Sequence, residues 1–536
     1  MTEPVTAGEQ TLRAPLRLPI FRALWLASLV SSIGTWMQTV GAQWLLVDQP
    51  NAAVLVSLVQ VAETLPVVFV ALPAGVFADL FDRRRMLIGV QAFQVAVGVA
   101  LTVMTARGDL QPALLLTFTF LLGTGAAMQM PAWQALIPEL VPRALLPGAA
   151  ALGSININIA RAVGPALAGL LITHLGVAWV FALNCVTFAV FGAVLLAWRR
   201  PTPDDDGSDA ERFLPALRAG GRYVHHSPVV RRILLRLSLF VVPANVLWAL
   251  LPLLATRQLG LDSSGYGLLL AALGAGSIAG AFALPRLRVR WSTDALLVSS
   301  SLVYGLALVV LAVTHSTLVA LPMLLAAGGA LITVLANLNA VTLAFLPAWV
   351  RARALSIYQI VMFGSMAAGA LLWGVVGNRV GLTTTFLTAG ALLLIGGATV
   401  TAWPLLDIRG IDTSPGPVLP DPQLVLEPTD YEGPVLVQVT YWVAPDLEET
   451  FLQALPAVRR SRLRTGASGW NLYRHGEQEN TFIEQFTVPS WDEHLRQHTG
   501  RLTTNDQHVL AVASDLSSPA PVVAHLLTAR PDRSRQ

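Results

Sequence analysis

Glu63 and Arg161 are ionisable residues set deep inside long apolar runs. A helix rises about 1.5 Å per residue, which puts each roughly 20 Å along its helix from one membrane edge. Either charge facing lipid would cost at least ~2.5 kcal/mol, so both must face protein or a water-filled cavity. A carboxyl near hydrocarbon can hold its proton near neutral pH, which makes Glu63 a candidate for proton coupling. Arg161 is a candidate to pair with it or to bind an anionic group of a substrate. A structural reading stands beside each: a carboxyl kept protonated for packing, and an arginine bonded to helix carbonyls. The run Gly75-x-x-x-Asp79-x-x-Asp82-Arg83-Arg84-Arg85 is a second constellation. Gly75 permits close helix approach. Asp79 can pair with an arginine or a helix N-terminus. Gly75, Asp79, Asp82, Arg83 and Arg84 are thus candidates for a conformational gate, with topology anchoring as the simpler role of the arginines. Substrate-cavity candidates are the polar and aromatic residues Trp36, Gln38, Trp133, Gln134, Asn156, Asn245, Trp248, Asn337, Asn339, Tyr358 and Gln359. Apolar walls with a few polar contacts suit amphipathic small molecules.

The elements that must position these residues are helices that cross a bilayer. Of the 536 residues, 54% are hydrophobic and only 12% charged, against about 25% charged in soluble domains. Apolar runs long enough for about 30 Å of hydrocarbon fall at 20–46, 54–78, 86–106, 112–136, 148–173, 177–198, 233–256, 265–285, 293–313, 317–345, 353–378 and 382–405. Met1 to Pro19 is polar, and the run after it exceeds a signal core, so a cleavable signal is not expected. One cysteine, Cys185, permits no disulfide within the chain. Lysine is absent, which reads as compositional bias.

Arg107, Arg257 and Arg379 are the only arginines in one set of alternate connections. The other set holds Arg13, Arg17, Arg22, Arg83 to Arg85, Arg143, Arg199, Arg200, Arg212, Arg218, Arg222, Arg231, Arg232, Arg286, Arg288, Arg290, Arg351, Arg353 and Arg409. That asymmetry places the second set, and with it both termini, in the cytoplasm. An internal repeat relates Ala74–Asp79 to Ala279–Leu284 and Pro138–Val141 to Pro347–Val350. Two such halves are the build of many secondary transporters. In the second copy Leu284 stands where the first has Asp79, so a gate built this way would be asymmetric. The division reads as a six-helix half at 1–198, a cytoplasmic linker at 199–232 with an amphipathic helix on the membrane surface, and a second half at 233–406.

A Pro-rich linker at 407–432 follows. Residues 433–530 carry strand and helix patterns in the order β-α-β-β-α-β, which predicts a soluble, cytoplasmic ferredoxin-like α+β domain. The fold class is therefore an all-α membrane protein of twelve transmembrane helices in two six-helix repeats, plus that small domain. His494 and His498 lie four apart on one predicted helix, but no cysteine or third ligand joins them, so no metal is expected. No cofactor is expected either. A phosphate-binding Gly-x-x-x-x-Gly-Lys run, catalytic triads and nucleic-acid patches are absent.

The Gly75–Arg85 run resembles the signature loop of the major facilitator superfamily. Gly34-Thr35-Trp36-Met37-Gln38, Pro131 to Arg143, Asn156-x-x-x-x-Arg161-x-x-Gly164-Pro165-Ala166 and Pro347 to Leu355 together resemble its transmembrane secretion effector branch, which includes enterobactin-exporter-like proteins. Gly164, Pro165 and Gly169 are similar to the antiporter motif of superfamily exporters. Physically they allow a kinkable, closely packed helix. Ser490 to His498 is similar to a stretch in the C-terminal domain of many branch members, and the domain resembles antibiotic-biosynthesis monooxygenase-type modules that pair as dimers. His494 is on that resemblance a ligand-pocket residue, and a regulatory or dimerising module is the expectation. The resemblance implies a proton-driven exporter of small molecules in the bacterial cytoplasmic membrane, with the bilayer, protons and an amphipathic substrate as partners. An uptake carrier, or a membrane-anchored enzyme or sensor, stays open beside it. The topology is checked by reporter fusions at the two ends, which are expected on the same, cytoplasmic face; fusions reporting opposite faces would remove the assignment.

Overall fold

A computed structural model of the chain describes residues 14–80, 82–198, 213–406, 411–414, 416–417, 424 and 434–527; the side chains at 71–72, 74–80 and 213–218 lie outside the description. Among the described residues, twelve helices are long and apolar enough to cross a membrane. The first half holds α1 (Pro19–Trp44), α2 (Ala52–Leu80), α3 (Arg83–Arg107), α4 (Pro112–Leu140), α5 (Leu146–Leu175) and α6 (Val177–Ala197). After α7 (Phe213–His226) comes a span made of α8 (Pro228–Ala244), α9 (Val246–Leu253) and a π turn at Leu254–Gln258. The second half continues with α10 (Ser263–Arg290), α11 (Thr293–Val313), α12 (Thr317–Phe345), α13 (Ala348–Val380) and α14 (Leu382–Ala402). Only helices satisfy every backbone group without water, which is why apolar runs of this length take no other form.

The repeat is visible in turns and packing. Gly176 and Gly381 occupy equivalent places, before the last span of each half, with φ of 89° and 81°. A side chain would be strained in that left-handed region, and glycine there lets α5 turn into α6 and α13 into α14 with no intervening loop. Within the first half α3 packs on α6, and within the second α11 packs on α14. Asp82 caps α3 by accepting from the Arg85 amide at 2.8 Å. Asp262 caps α10 in the same way at 2.9 Å.

Strands β1 (Val435–Trp442), β2 (Gly469–Arg474), β3 (Thr481–Val488) and β4 (Val522–Leu527) form one antiparallel sheet in the order β2-β3-β1-β4. Helices α15 (Glu448–Thr465), α16 (Trp491–Arg496) and α17 (Thr504–Asp515) complete the ferredoxin-like unit. The sequence predicts one long second helix, whereas the structure breaks it at a π turn, Gln497–Arg501. Thr503 restarts it with a reciprocal capping box to Asp506. Val435, Val437, Val439 and Tyr441 alternate into a core with Phe451, Val458, Phe482 and Phe486. Glu484 is fully buried there, yet its oxygens accept from Tyr441 Oη (2.9 Å), Trp470 Nε1 (2.8 Å) and Arg462 Nε (3.2 Å). A buried charge is tolerable only with such complete satisfaction.

The described residues fall into two compact units: Met1–Gly207, Leu235–Leu338 and Gln359–Leu405 form one; Ser208–Leu234, Asn339–Tyr358 and Leu406–Gln536 form the other. This departs from the expected division. The sequence lays α7 on the membrane surface, but the described part of its apolar face is covered by protein. Tyr223 is buried, edge-on to Trp349 with ring centroids 5.7 Å apart and with the Arg464 guanidinium 5.6 Å away. Arg501 stacks on Trp349 at 5.0 Å and holds Glu493 through two bonds of 2.5 and 2.8 Å, and Arg222 of α7 reaches the same carboxylate at 2.9 Å. Burial alone would push the Glu493 carboxyl up, but bonding to Arg501 and the charges of Arg501 and Arg222 hold it below its ordinary range. The described pieces of the expected free linker also dock: Gly416 N donates to Leu502 O at 3.0 Å and Gln507 Nε2 to Pro417 O at 2.6 Å. The expected acidic run Asp204 to Asp206 lies outside the described residues.

Trp349 is the wedge of this second unit. Trp349→Ala removes one aromatic pair and one cation–π contact, together worth about 1–3 kcal/mol. Hydrogen exchange of the amides at 219–226 in the full-length protein is expected to quicken about tenfold or more; unchanged protection would refute the wedge.

Candidate functional site

Helix α1 turns two different stripes to its neighbours. Gly34, Gln38 and Gly41 face α6: Asn184 Nδ2 donates to Gln38 Oε1, and a Cβ on Gly41 would lie 3.1 Å from Phe181. Trp36, Thr39 and Gln43 form the other stripe, which meets α2, α5, α9 and α10. Thr39 Oγ1 donates to Glu63 Oε1 of α2 at 2.5 Å. Trp36 lies against Trp248 of α9, with centroids 5.4 Å apart and planes inclined at 44°. The Arg161 guanidinium of α5 sits 5.6 Å from the Trp36 ring and 5.9 Å from the Trp248 ring. Gln43 Nε2 donates to Trp248 O at 3.0 Å, and Tyr266 Oη of α10 donates to Gln43 Oε1 at 2.5 Å. One stripe of α1 therefore collects residues from both halves into a tryptophan–arginine centre.

The described polar contacts between the halves continue toward the connections that hold Arg257 and Arg379. Thr173 and Ser263 share a hydroxyl hydrogen bond of 2.7 Å, Arg257 Nη2 reaches Val47 O at 3.4 Å, and Asn378 Nδ2 donates to Asn51 Oδ1 at 3.2 Å. Backbones come close along the α5–α10 crossing. A Cβ on Gly169 would stand 2.5 Å from Ser263 O, and one on Gly267 2.6 Å from Pro165 O. Gly164 lets α5 approach α1, since a Cβ there would stand 2.6 Å from the Trp36 Cβ. Gly164, Pro165 and Gly169 thus act in helix approach, one toward α1 and two across the halves.

Several sequence candidates turn elsewhere. Gln38, two residues from Trp36, is about 200° away around a helix, so the two cannot share a cavity. Asn156 Nδ2 donates to Ser28 Oγ of α1 at 3.4 Å, Asn245 Nδ2 to Met366 O at 2.7 Å and Asn337 Nδ2 to Thr293 O at 3.5 Å. These three amides bind helices within their own half. Trp133 packs edge-on to Phe191 at 5.6 Å, inside the first half's core. Gln134 and Asn339 are exposed, Gln359 is half-buried, and Tyr358 is buried with no hydrogen-bond partner for its hydroxyl among the described residues. Glu63 and Arg161 are not paired with each other: the carboxylate takes the Thr39 hydroxyl, the guanidinium takes two indoles.

The gate candidates divide. Gly75 and Asp79 lie on α2, their side-chain surroundings outside the described residues. Asp82 serves as the α3 cap. Arg83 pairs with Glu139 of α4 at 2.6 Å, and Arg84 donates to Leu195 O and Leu196 O, both at 2.9 Å, closing the C-terminus of α6. Each of these described contacts stays inside the first half. Thr39, Gln43 and Tyr266 were missed, though a glutamine and a tyrosine inside apolar spans are a legible signal. Arg236 was missed too; it caps α14 through Thr399 Oγ1 at 2.7 Å and the carbonyl oxygen of Trp403.

In the sheet domain His494 is buried among Trp491, His498 and His525, with ring centroids 4.8–5.4 Å away, and its Nδ1 lies 3.2 Å from Gln497 Oε1. Burial, with the neighbouring histidines, pushes its pKa down to about 3, so the ring is neutral at physiological pH. Among the described residues no three His, Cys, Asp or Glu are placed to hold a metal.

Two six-helix repeats closing on a shared centre define a secondary transporter of the major facilitator fold. A model of the family described as transmembrane secretion effector matches residues 10–533, and the chain belongs to that family. The staphyloferrin A transporter of Staphylococcus aureus is 24% identical over 285 residues, 53% of this chain and 71% of that protein. Multidrug efflux pump Tap of Mycolicibacterium fortuitum is 25% identical over 76% of this chain and 99% of its own length. Among solved structures, a D-xylose–proton symporter superposes with a TM-score of 0.59 at 13% identity, covering 73% of this chain and 98% of that one. An inward-facing, unoccupied bacterial Spinster homologue gives 0.57 at 16%, covering 72% and 96%. These likenesses show the fold.

Tyr266→Phe deletes the bond to Gln43 and leaves a buried acceptor unpaired, a cost of about 1–3 kcal/mol to the closed side. A cysteine at Ser57, a fully buried residue of α2 that lies against Gly374 of α13 in the other half, is expected to react at least several-fold faster with an impermeant maleimide applied from the side of residues 44–51; an unchanged rate would show that the contact does not hold the halves together.

Proposed function

We propose that this chain is a proton-coupled exporter of small amphipathic molecules in the bacterial cytoplasmic membrane, with both termini cytoplasmic. The observation that carries the coupling is the setting of Glu63. It is a carboxyl deep in a crossing helix, with no cation against it among the described residues and a single hydroxyl as its hydrogen-bond partner. A group that need not stay charged in the resting state is free to take up and release a proton as water reaches it from alternate sides. Thr39, its partner, lies on the same stripe of α1 as Trp36 and Gln43, so protonation acts on the helix that also bears the cross-half contacts.

The export direction draws on two supports. Relatives include a multidrug efflux pump and a siderophore transporter by name. The arginine asymmetry puts the Arg257 and Arg379 connections outside, and the described polar clasp lies on that side. The described conformer is therefore closed outward, the state in which an exporter loads from the cytoplasm. The sheet domain acts as a regulatory or dimerising module. Val522 and Leu526 on its edge strand β4 are exposed, a surface on which a second copy could pair.

Glu63→Gln tests the coupling. In proteoliposomes, flux driven by an imposed pH gradient is expected to fall at least about tenfold while exchange of substrate across the membrane at equal pH persists. Flux that still follows the gradient would remove Glu63 from the mechanism.

A further inference from the structure

The guanidinium of Arg161 has no protein anion. Among the described residues it forms no ion pair and no hydrogen bond, and its Nε is sealed from solvent without a partner. Arginine cannot lose its proton to escape this cost. The carboxyl of Glu63, which also meets the α1 stripe, is turned to Thr39. Two indoles flank the cation at 5.6 and 5.9 Å, and their own rings stand 5.4 Å apart at 44°. Cation–π contact stabilises the charge by about 0.5–2 kcal/mol, less than a desolvated charge needs.

We propose that Arg161, Trp36 and Trp248 form the recognition site for a small amphipathic monoanion, a carboxylate joined to an aromatic or conjugated skeleton. This rests on the transporter reading above and names its substrate class. A guanidinium held over aromatic rings and bonded to no protein acceptor keeps N–H donors to spare, and such a fork can grip a carboxylate with two parallel bonds. The inclined indoles receive a flat ring beside that carboxylate. Of the other groups that meet on the α1 stripe, Thr39, Gln43 and Tyr266 are uncharged, and the Glu63 carboxyl is turned to Thr39 and not to the guanidinium. One fixed positive charge therefore matches one negative charge on the ligand and disfavours lipophilic cations. Because Trp36 and Arg161 come from the first half and Trp248 from the second, a ligand bound here touches both halves and is released when they part.

The test uses equilibrium dialysis of the full-length protein in nanodiscs against 1-naphthoate, 1-naphthamide and 1-naphthylmethylammonium, which share a skeleton and differ in charge. The acid is expected to bind about tenfold or more tighter than the amide, with the ammonium weakest. Arg161→Gln is expected to level acid and amide, and a parent-like thermal unfolding midpoint of the variant in nanodiscs reports that it folds. Arg161→Lys keeps a point charge without the fork and should retain part of the preference, an arm that stands even if the glutamine variant fails to fold. Equal binding of acid and amide by the parent, or a preference that survives Arg161→Gln, would overturn the assignment. If amide and ammonium bind and the acid does not, the anion inference falls and the transporter reading stands. If none of the three binds, the recognition site falls.

Discussion

A polar group inside hydrocarbon must find a protein partner, and most of what this membrane region looks like follows from that requirement. Asn245 turns to Met366 O, Asn156 to Ser28, Trp373 to Val242 O at 2.7 Å and Tyr304 to Ala244 O at 2.9 Å. Each bond fixes the rotation of one helix against another, because a helix that turned by one residue would leave a buried donor unpaired. Arg236 applies the same rule to a full charge by taking the free carbonyls at the end of α14. Arg161 and Glu63 stand out because each has fewer partners than its chemistry asks for. The proposed roles of the centre in proton and ligand binding rest on that shortfall.

Close backbone approach does the complementary work. Without a hydrophobic force between helices in lipid, small residues let them touch. Gly123 of α4 meets the backbone of α2 at Ala62 and Glu63. Gly328 of α12 meets α10 at Leu273 and Ser277. The α5–α10 seam joins the halves through Gly169 and Gly267. A seam of small residues and one stripe of polar contacts is a joint with little side-chain interdigitation, the kind of interface across which two rigid bundles can rock.

The second unit adds a coupling that a tethered domain would lack. The sheet domain, the linker helix α7 and the first turn of α13 share Trp349, Arg501, Glu493 and Arg222. Whatever displaces the domain acts at once on α7 and on the start of α13.

Much of this was legible in the sequence. The lengths of the apolar runs determined twelve crossings, because hydrocarbon thickness admits no other solution. Repeated glycine and proline positions showed the two halves, and period-two and helical patterns gave the order of the sheet domain. Glu63 and Arg161 were legible as functional candidates because charge in a span is costly wherever it points. The direction in which residues point was decided only by tertiary structure. Trp36 and Gln38 look equivalent in a string, yet one faces Trp248 and the other Asn184, since rotation about the helix axis depends on which neighbours offer partners. Arg84 reads as part of a gate, and its described bonds close the end of α6; α7 reads as a membrane-surface helix and is covered by Trp349 and α15. Spacing along the chain states what a residue could do. The partner that takes its hydrogen bond comes from a segment tens to hundreds of residues away, and only folding brings that segment near.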